Sequence, residues 1–125
     1  MSGKVVHFEI PVDDRDRASA FYSGAFGWSL NSMPDMGYTL VSTGPATDTG
    51  APATPGHING GMLERQGPWQ HPIITIEVDD MESALRTVAE HGGSQVREPH
   101  DVGGMGIAAY VSDTEGNMIG LWQSL

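Results

Sequence analysis

The chain has 125 residues, enough for one compact domain with a core of its own. It carries 16 Asp and Glu against 6 Lys and Arg, a formal net charge of -10, and no cysteine. Such an acidic surface repels phosphate backbones and argues against nucleic-acid binding, while disulfides and thiolate metal sites are excluded. No charged segment followed by an apolar run opens the chain and no apolar stretch nears the length of a membrane span, so a soluble, cytoplasmic protein is expected.

Residues 4–12, "KVVHFEIPV", mix β-branched and apolar residues and predict a strand. Asp13 or Asp14 is placed to cap the helix that follows, in which Ala18, Phe21, Tyr22 and Ala25 fall at helical spacing and Gly27 ends the pattern. A weaker strand signal lies between "GWSL" and residue 36, and "GYTLVSTG" gives a clearer one. "GPATDTGAPATPGH" (44–57) has no periodicity and reads as a long loop, either a lid or a tolerated surface insertion. The strand "HINGGMLER" follows, then a linker, "RQGPWQHP" (65–72), whose Trp69 either covers the linker or lies at a subunit contact.

The second half repeats this plan. Ile74, Ile76 and Val78 alternate with Thr75 and Glu77, and Asp79 with Glu82 can form a capping box. Met81, Ala84, Leu85, Val88 and Ala89 make the apolar face of a helix stopped by Gly92 and Gly93. A weak strand around "SQVREP" precedes "GIAAYVSD" and "GNMIGLWQ", which are joined by a turn closed at Gly116. Setting Val12-Asp13-Asp14 over Val78-Asp79-Asp80 brings Ala18 onto Ala84 and Gly27 onto Gly93 with no gap, an offset of 66 residues. The chain is thus a duplicated β-α-β-β-β unit, with modules at about 4–64 and 73–124.

A doubled unit with "HFEIPVDDRDRASAFYSGAFGW" near its start and "SDTEGNMIGLW" at its end resembles the vicinal oxygen chelate superfamily, which includes glyoxalase I, bleomycin-resistance proteins and extradiol dioxygenases. The resemblance covers nearly the whole chain. It implies an α+β fold in which βαβββ modules form a cup-shaped curved sheet with helices on the outer face. It also implies pairing of half-cups within a chain or across a two-fold axis, hence an expected homodimer, since an isolated half would expose sheet edges.

In metal-dependent members the first and last strands of each half supply the metal ligands. The resemblance carries those positions onto His7, Gly61, Ile73 and Gly120. Gly and Ile side chains cannot bind a metal, and a divalent site needs several N or O donors at about two ångströms. His7 is the one retained candidate, so no cofactor is expected, with a divalent metal as the alternative.

Strand alternation puts His7 and Glu9 on one face, and Thr75 with Glu77. If His7 faces into the cup, as the resemblance implies, Glu9 and Thr75 do too, and Asn59, Met118 and Trp122 line a floor widened by Gly61 and Gly120. Together with Ile73 these are the expected ligand-binding residues, suited to a small hydrophobic or aromatic organic molecule. His7 and Glu9 form either a general acid/base pair or a simple hydrogen-bonding anchor. Two functions follow: a small-molecule-binding protein with a degenerate metal site, or an enzyme of the same superfamily, a glyoxalase-like lyase, isomerase or dioxygenase. His57 and His71 sit in loops and are expected to be exposed, and Phe26 and Trp28 to serve the core or an interface.

Overall fold

A computed structural model describes residues 2–125. In chain order the elements are β1 (Val5–Val12), α1 (Arg15–Phe26), β2 (Ser29–Met33), a 3-10 turn (Pro34–Met36), β3 (Tyr38–Ser42), β4 (Asn59–Glu64), β5 (Ile73–Glu77), α2 (Met81–Glu90), β6 (Ser94–Val102), β7 (Gly106–Ser112) and β8 (Met118–Ser124). The fold is α+β, and the predicted β-α-β-β-β order holds in both halves, including the two strands with weak sequence signals. Two compact units result, His7–Pro72 and Ile73–Leu125, the latter joined by residues 2–6. Backbone bonds from the Gly3 N–H to the Glu77 carbonyl (2.9 Å) and from the Glu77 N–H to the Lys4 carbonyl (2.8 Å) tie those first residues beside β5.

Within the first unit the strand order is β2-β3-β4-β1, with β1 parallel to β4 and the other pairs antiparallel. The second unit repeats it as β6-β7-β8-β5, with β5 parallel to β8. The register repeats as well. Glu9 lies opposite Gly61 in the first half, as Thr75 lies opposite Gly120 in the second.

The helices differ in how they pack. Met81 of α2 is buried with Ala109, Val111 and Leu121, and Ile76, Ala84, Leu85, Val88, Ile107 and Ile119 close around them. Ala89, expected on this face, is exposed. α1 buries no residue fully: Ala18, Ser19 and Tyr22 are half-covered, but Ala25 is exposed and Phe21 retains 56% of its surface. The predicted stripe is therefore turned toward Ser19. The reason lies beyond the helix, where Trp28 stacks on Tyr22 (4.8 Å between centroids, 7° between planes) and also meets Phe8 of β1 at 5.7 Å. This aromatic stack fills the space between helix and sheet, leaving Phe21 outside, edge-on to Tyr22 and Phe26. Phe26 is itself 63% exposed, so it is no part of the core.

Both helices are capped by the second of two aspartates. The Asp14 carboxylate accepts from the Arg17 backbone N–H (3.0 Å), and that of Asp80 from Ser83 (2.9 Å), so the second cap falls one residue beyond the expected Asp79. Gly27 closes α1 in the left-handed conformation at φ 74°, where a Cβ would be strained. In the β7–β8 turn the Asp113 carboxylate accepts from the Glu115 and Asn117 backbone N–H groups at 2.8 and 2.9 Å, and Gly116 takes φ 83° as expected.

Candidate functional site

Phe8 and Ile10 point to the α1 side of the first sheet, so alternation sends His7 and Glu9 to the other face. There β4 contributes Asn59 and Gly61, opposite His7 and Glu9. β3 adds a residue that sequence reading missed. Tyr38 pairs with Leu63, two positions along from Gly61 on the same face, and its hydroxyl lies 2.8 Å from His7 Nε2. The His7 and Tyr38 rings are nearly parallel, 14° apart in plane with centroids 6.5 Å apart.

The space over Gly61 belongs to Tyr38. A Cβ at position 61 would lie 2.0 Å from Tyr38 Cζ and 2.1 Å from its hydroxyl oxygen, so the ring is seated directly on the glycine backbone. The widened floor expected at this position is therefore filled. A glycine inside a strand marks a close approach of this kind, and the tyrosine at the start of "YTLVS" shares its face; only the β3–β4 register connects the two.

Glu9 is 6% exposed and Asn59 3%. The Asn59 amide is engaged with the long loop: its Nδ2 donates to the Gly50 carbonyl (3.1 Å) and its Oδ1 accepts from the Thr43 N–H (2.8 Å). The loop is further folded on itself by an Ala46–Pro52 bridge and a bond from the Ala53 N–H to the Pro45 carbonyl. His57 packs its ring under Gly44 and bonds the Pro45 carbonyl at 3.2 Å, so it is half-buried instead of fully exposed; His71 is exposed as expected. Burial holds the His7 imidazole below its ordinary 6.5, opposed by the Glu9 carboxylate, which pulls it upward. The imidazole is thus neutral at neutral pH, a donor at one nitrogen and an acceptor at the other.

The second unit presents Ile73, Thr75, Met118, Gly120 and Trp122 at the corresponding places. Ile73 is 2% exposed and Thr75 8%. A Cβ on Gly120 would lie 2.7 Å from Thr75 Oγ1, so the threonine hydroxyl fills that gap. Trp122 Nε1 donates to Ser124 Oγ at 3.1 Å, its ring overlies Gly106, and Met118 is half-buried beside Ser112. No histidine or carboxylate stands where His7 and Glu9 stand in the first half.

The donor set implied by metal-dependent relatives does not fit these residues. Three of the four positions are Gly61, Ile73 and Gly120, and Nε2 of the fourth faces the Tyr38 hydroxyl. Among the described residues, no group of three His, Cys, Asp or Glu side chains could hold a metal ion. A depression of about 360 Å³ opens elsewhere in the first unit, at the junction of β1 and α1. Asp13, Asp14, Asp16 and Glu64 line it together with Tyr38, whereas His7 and Glu9 do not. No helix among the described residues is long and apolar enough to cross a membrane.

Known proteins place this arrangement. Residues 4–44 match the family model for the bleomycin resistance protein-like N-terminal domain. A probable lactoylglutathione lyase of Vibrio cholerae is 30% identical over 125 residues, covering 97% of this chain and 91% of that protein. The putative glyoxylase CFP32 of Mycobacterium tuberculosis is 28% identical over 123 residues, 93% of this chain; the chain spans only 44% of that relative's length. A glyoxalase/bleomycin resistance protein/dioxygenase superfamily member from Vibrio splendidus shares the fold, with a TM-score of 0.63 at 15% identity, covering 98% of this chain and 99% of its own. The chain belongs to the vicinal oxygen chelate superfamily.

Proposed function

We propose that this chain is a glyoxalase/bleomycin-resistance-like protein that binds a small hydrophobic or aromatic organic molecule without a resident metal. The observation that carries this reading is the engagement of His7 Nε2 by the Tyr38 hydroxyl at 2.8 Å, with Gly61, Ile73 and Gly120 at the other three ligand positions. A neutral, half-buried imidazole beside a buried carboxylate suits recognition of an organic polar group through hydrogen bonds. His7 and Glu9 anchor that group, and apolar neighbours take the remainder of the ligand. The chain works as a homodimer, supported by the aromatic surface of Phe21 and Phe26 that α1 leaves uncovered.

The burial of Glu9 next to His7 favours a second reading, an acid/base enzyme of the same superfamily. A probable lactoylglutathione lyase stands among the relatives, yet one fold carries many activities, so the site decides.

Elemental analysis after gentle purification should find substoichiometric metal. Quenching of tryptophan emission by 2-naphthol should saturate and survive excess chelator, and His7→Ala should weaken it modestly. Stoichiometric metal that disappears with His7→Ala would replace the binding reading with the metalloenzyme one.

A further inference from the structure

The group that His7 holds in this structure is a phenol, and it comes from the chain itself. The Tyr38 ring lies flat on the Gly61 backbone, nearly parallel to the imidazole, with its hydroxyl on Nε2. A seat with these walls is complementary to a planar six-membered ring bearing one hydroxyl. The missing side chain at Gly61 gives room for the ring thickness, and Nε2 supplies the polar partner. Glu9, buried on the same face two residues from His7, disfavours a ring that carries a negative charge.

Tyr38 is also placed to leave. It is the first residue of β3, its partners Met33 and Leu63 lie at or near the ends of their strands, and it follows Gly37, which sits at φ 61° after the 3-10 turn. Rotation about its side-chain bonds withdraws the ring without breaking the ladder further along, where Thr39, Leu40 and Val41 continue to pair with Met62, Gly61 and Gly60.

We propose that Tyr38 is an intramolecular occupant of a phenol-recognising seat formed by Gly61 and His7, and that the ligand, an uncharged aryl alcohol, enters by displacing it. This rests on the metal-free binding reading above and narrows its ligand class. It has a consequence opposite to that of an ordinary ligand contact. Weakening the occupant strengthens ligand binding, because the fraction of molecules with an open seat rises.

The test uses p-cresol, which is the tyrosine side chain cut at Cβ, and toluene, the same ring without the hydroxyl. Binding is followed through the His7 imidazole signals in 1H–15N spectra of the full chain. Tyr38→Phe keeps the ring on Gly61 but removes its bond to His7. It should bind p-cresol about two- to tenfold more tightly than the parent protein, the equivalent of one net hydrogen bond, while toluene should bind more weakly than p-cresol to both. Tyr38→Ala, which empties the seat, should tighten p-cresol further, and its unfolding curve establishes that it remains folded. Weaker p-cresol binding in Tyr38→Phe would make Tyr38 a ligand contact and overturn the proposal. So would equal affinity for p-cresol and toluene, although ligand binding itself would then stand. Absence of p-cresol binding in all three proteins would sink the phenol seat while leaving the metal question to elemental analysis.

Discussion

The two halves share a backbone plan down to strand register and differ in what they hang on it. Glu9 faces Gly61 as Thr75 faces Gly120, but His7, Glu9 and Tyr38 crowd one sheet face in the first half where Ile73, Thr75 and Trp122 stand in the second. Their helix layers differ too, an aromatic stack through Tyr22, Trp28 and Phe8 against an aliphatic cluster around Met81. Duplication preserved the geometry, which backbone hydrogen bonds enforce, and left the side chains to diverge. The second copy has no counterpart of the His7–Glu9 pair, its residues there being Ile73 and Thr75.

That contrast can be broken most sharply in the helix layers. Met81→Ala should destabilise the chain by about 2–5 kcal/mol, since Met81 is 3% exposed at the centre of an aliphatic cluster. Phe21→Ala, at 56% exposure, should cost well under half as much in the same denaturation experiment. Equal losses would mean that α1 buries its aromatic face in an assembly.

The paired glycines give the next test. Gly61→Ala drives a Cβ to within 2.0 Å of the Tyr38 ring and should cost about 1–3 kcal/mol, with loss of the His7–Tyr38 bond visible in the imidazole spectrum. Gly120→Ala meets the Thr75 side chain, closely at Oγ1 (2.7 Å) and at ordinary contact distance at Cβ and Cγ2 (3.4 and 3.5 Å), so its cost should be smaller. Thermal unfolding of the two variants side by side checks the order.

The caps should be alike despite the different helices. Asp14→Ala and Asp80→Ala should each lower the unfolding midpoint, and by similar amounts, since each removes one side-chain acceptor from a helix N-terminus.

The smallest effect is in pH. Because burial lowers the folded-state pKa of His7 below 6.5, the unfolded chain binds the extra proton first. The His7 contribution is complete above 6.5 and is lost as pH falls through the lowered folded value. The stability of the parent protein should therefore decline on acidification by more than that of His7→Gln. Identical slopes would mean that burial leaves His7 untouched.

Much of this was legible in the sequence because it is local. The offset that sets Val12 over Val78 fixed both strand–helix junctions, and alternation placed His7 and Glu9 on the face away from Phe8. The aspartate pairs announced a cap at each junction, yet in the second the spacing to Glu82 pointed to Asp79 where Asp80 serves. The less legible features depend on distant partners. Tyr38 became a site residue only once β3 paired with β4. Asn59 shares a face with Gly61, but its amide is used to hold Gly50 of the 44–57 loop and Thr43 just ahead of it. The α1 stripe turned because Trp28, beyond the helix, filled the space that periodicity assigned to Phe21.

The central claim is that His7 serves organic recognition and not metal binding, and a titration of the His7 imidazole with Zn2+ at neutral pH, followed in 1H–15N spectra, tests it most directly. The account predicts that one equivalent of Zn2+ leaves the His7 signals, and the bond to Tyr38, unchanged. A saturable shift of the His7 nitrogens at one equivalent, abolished by chelator, would contradict it.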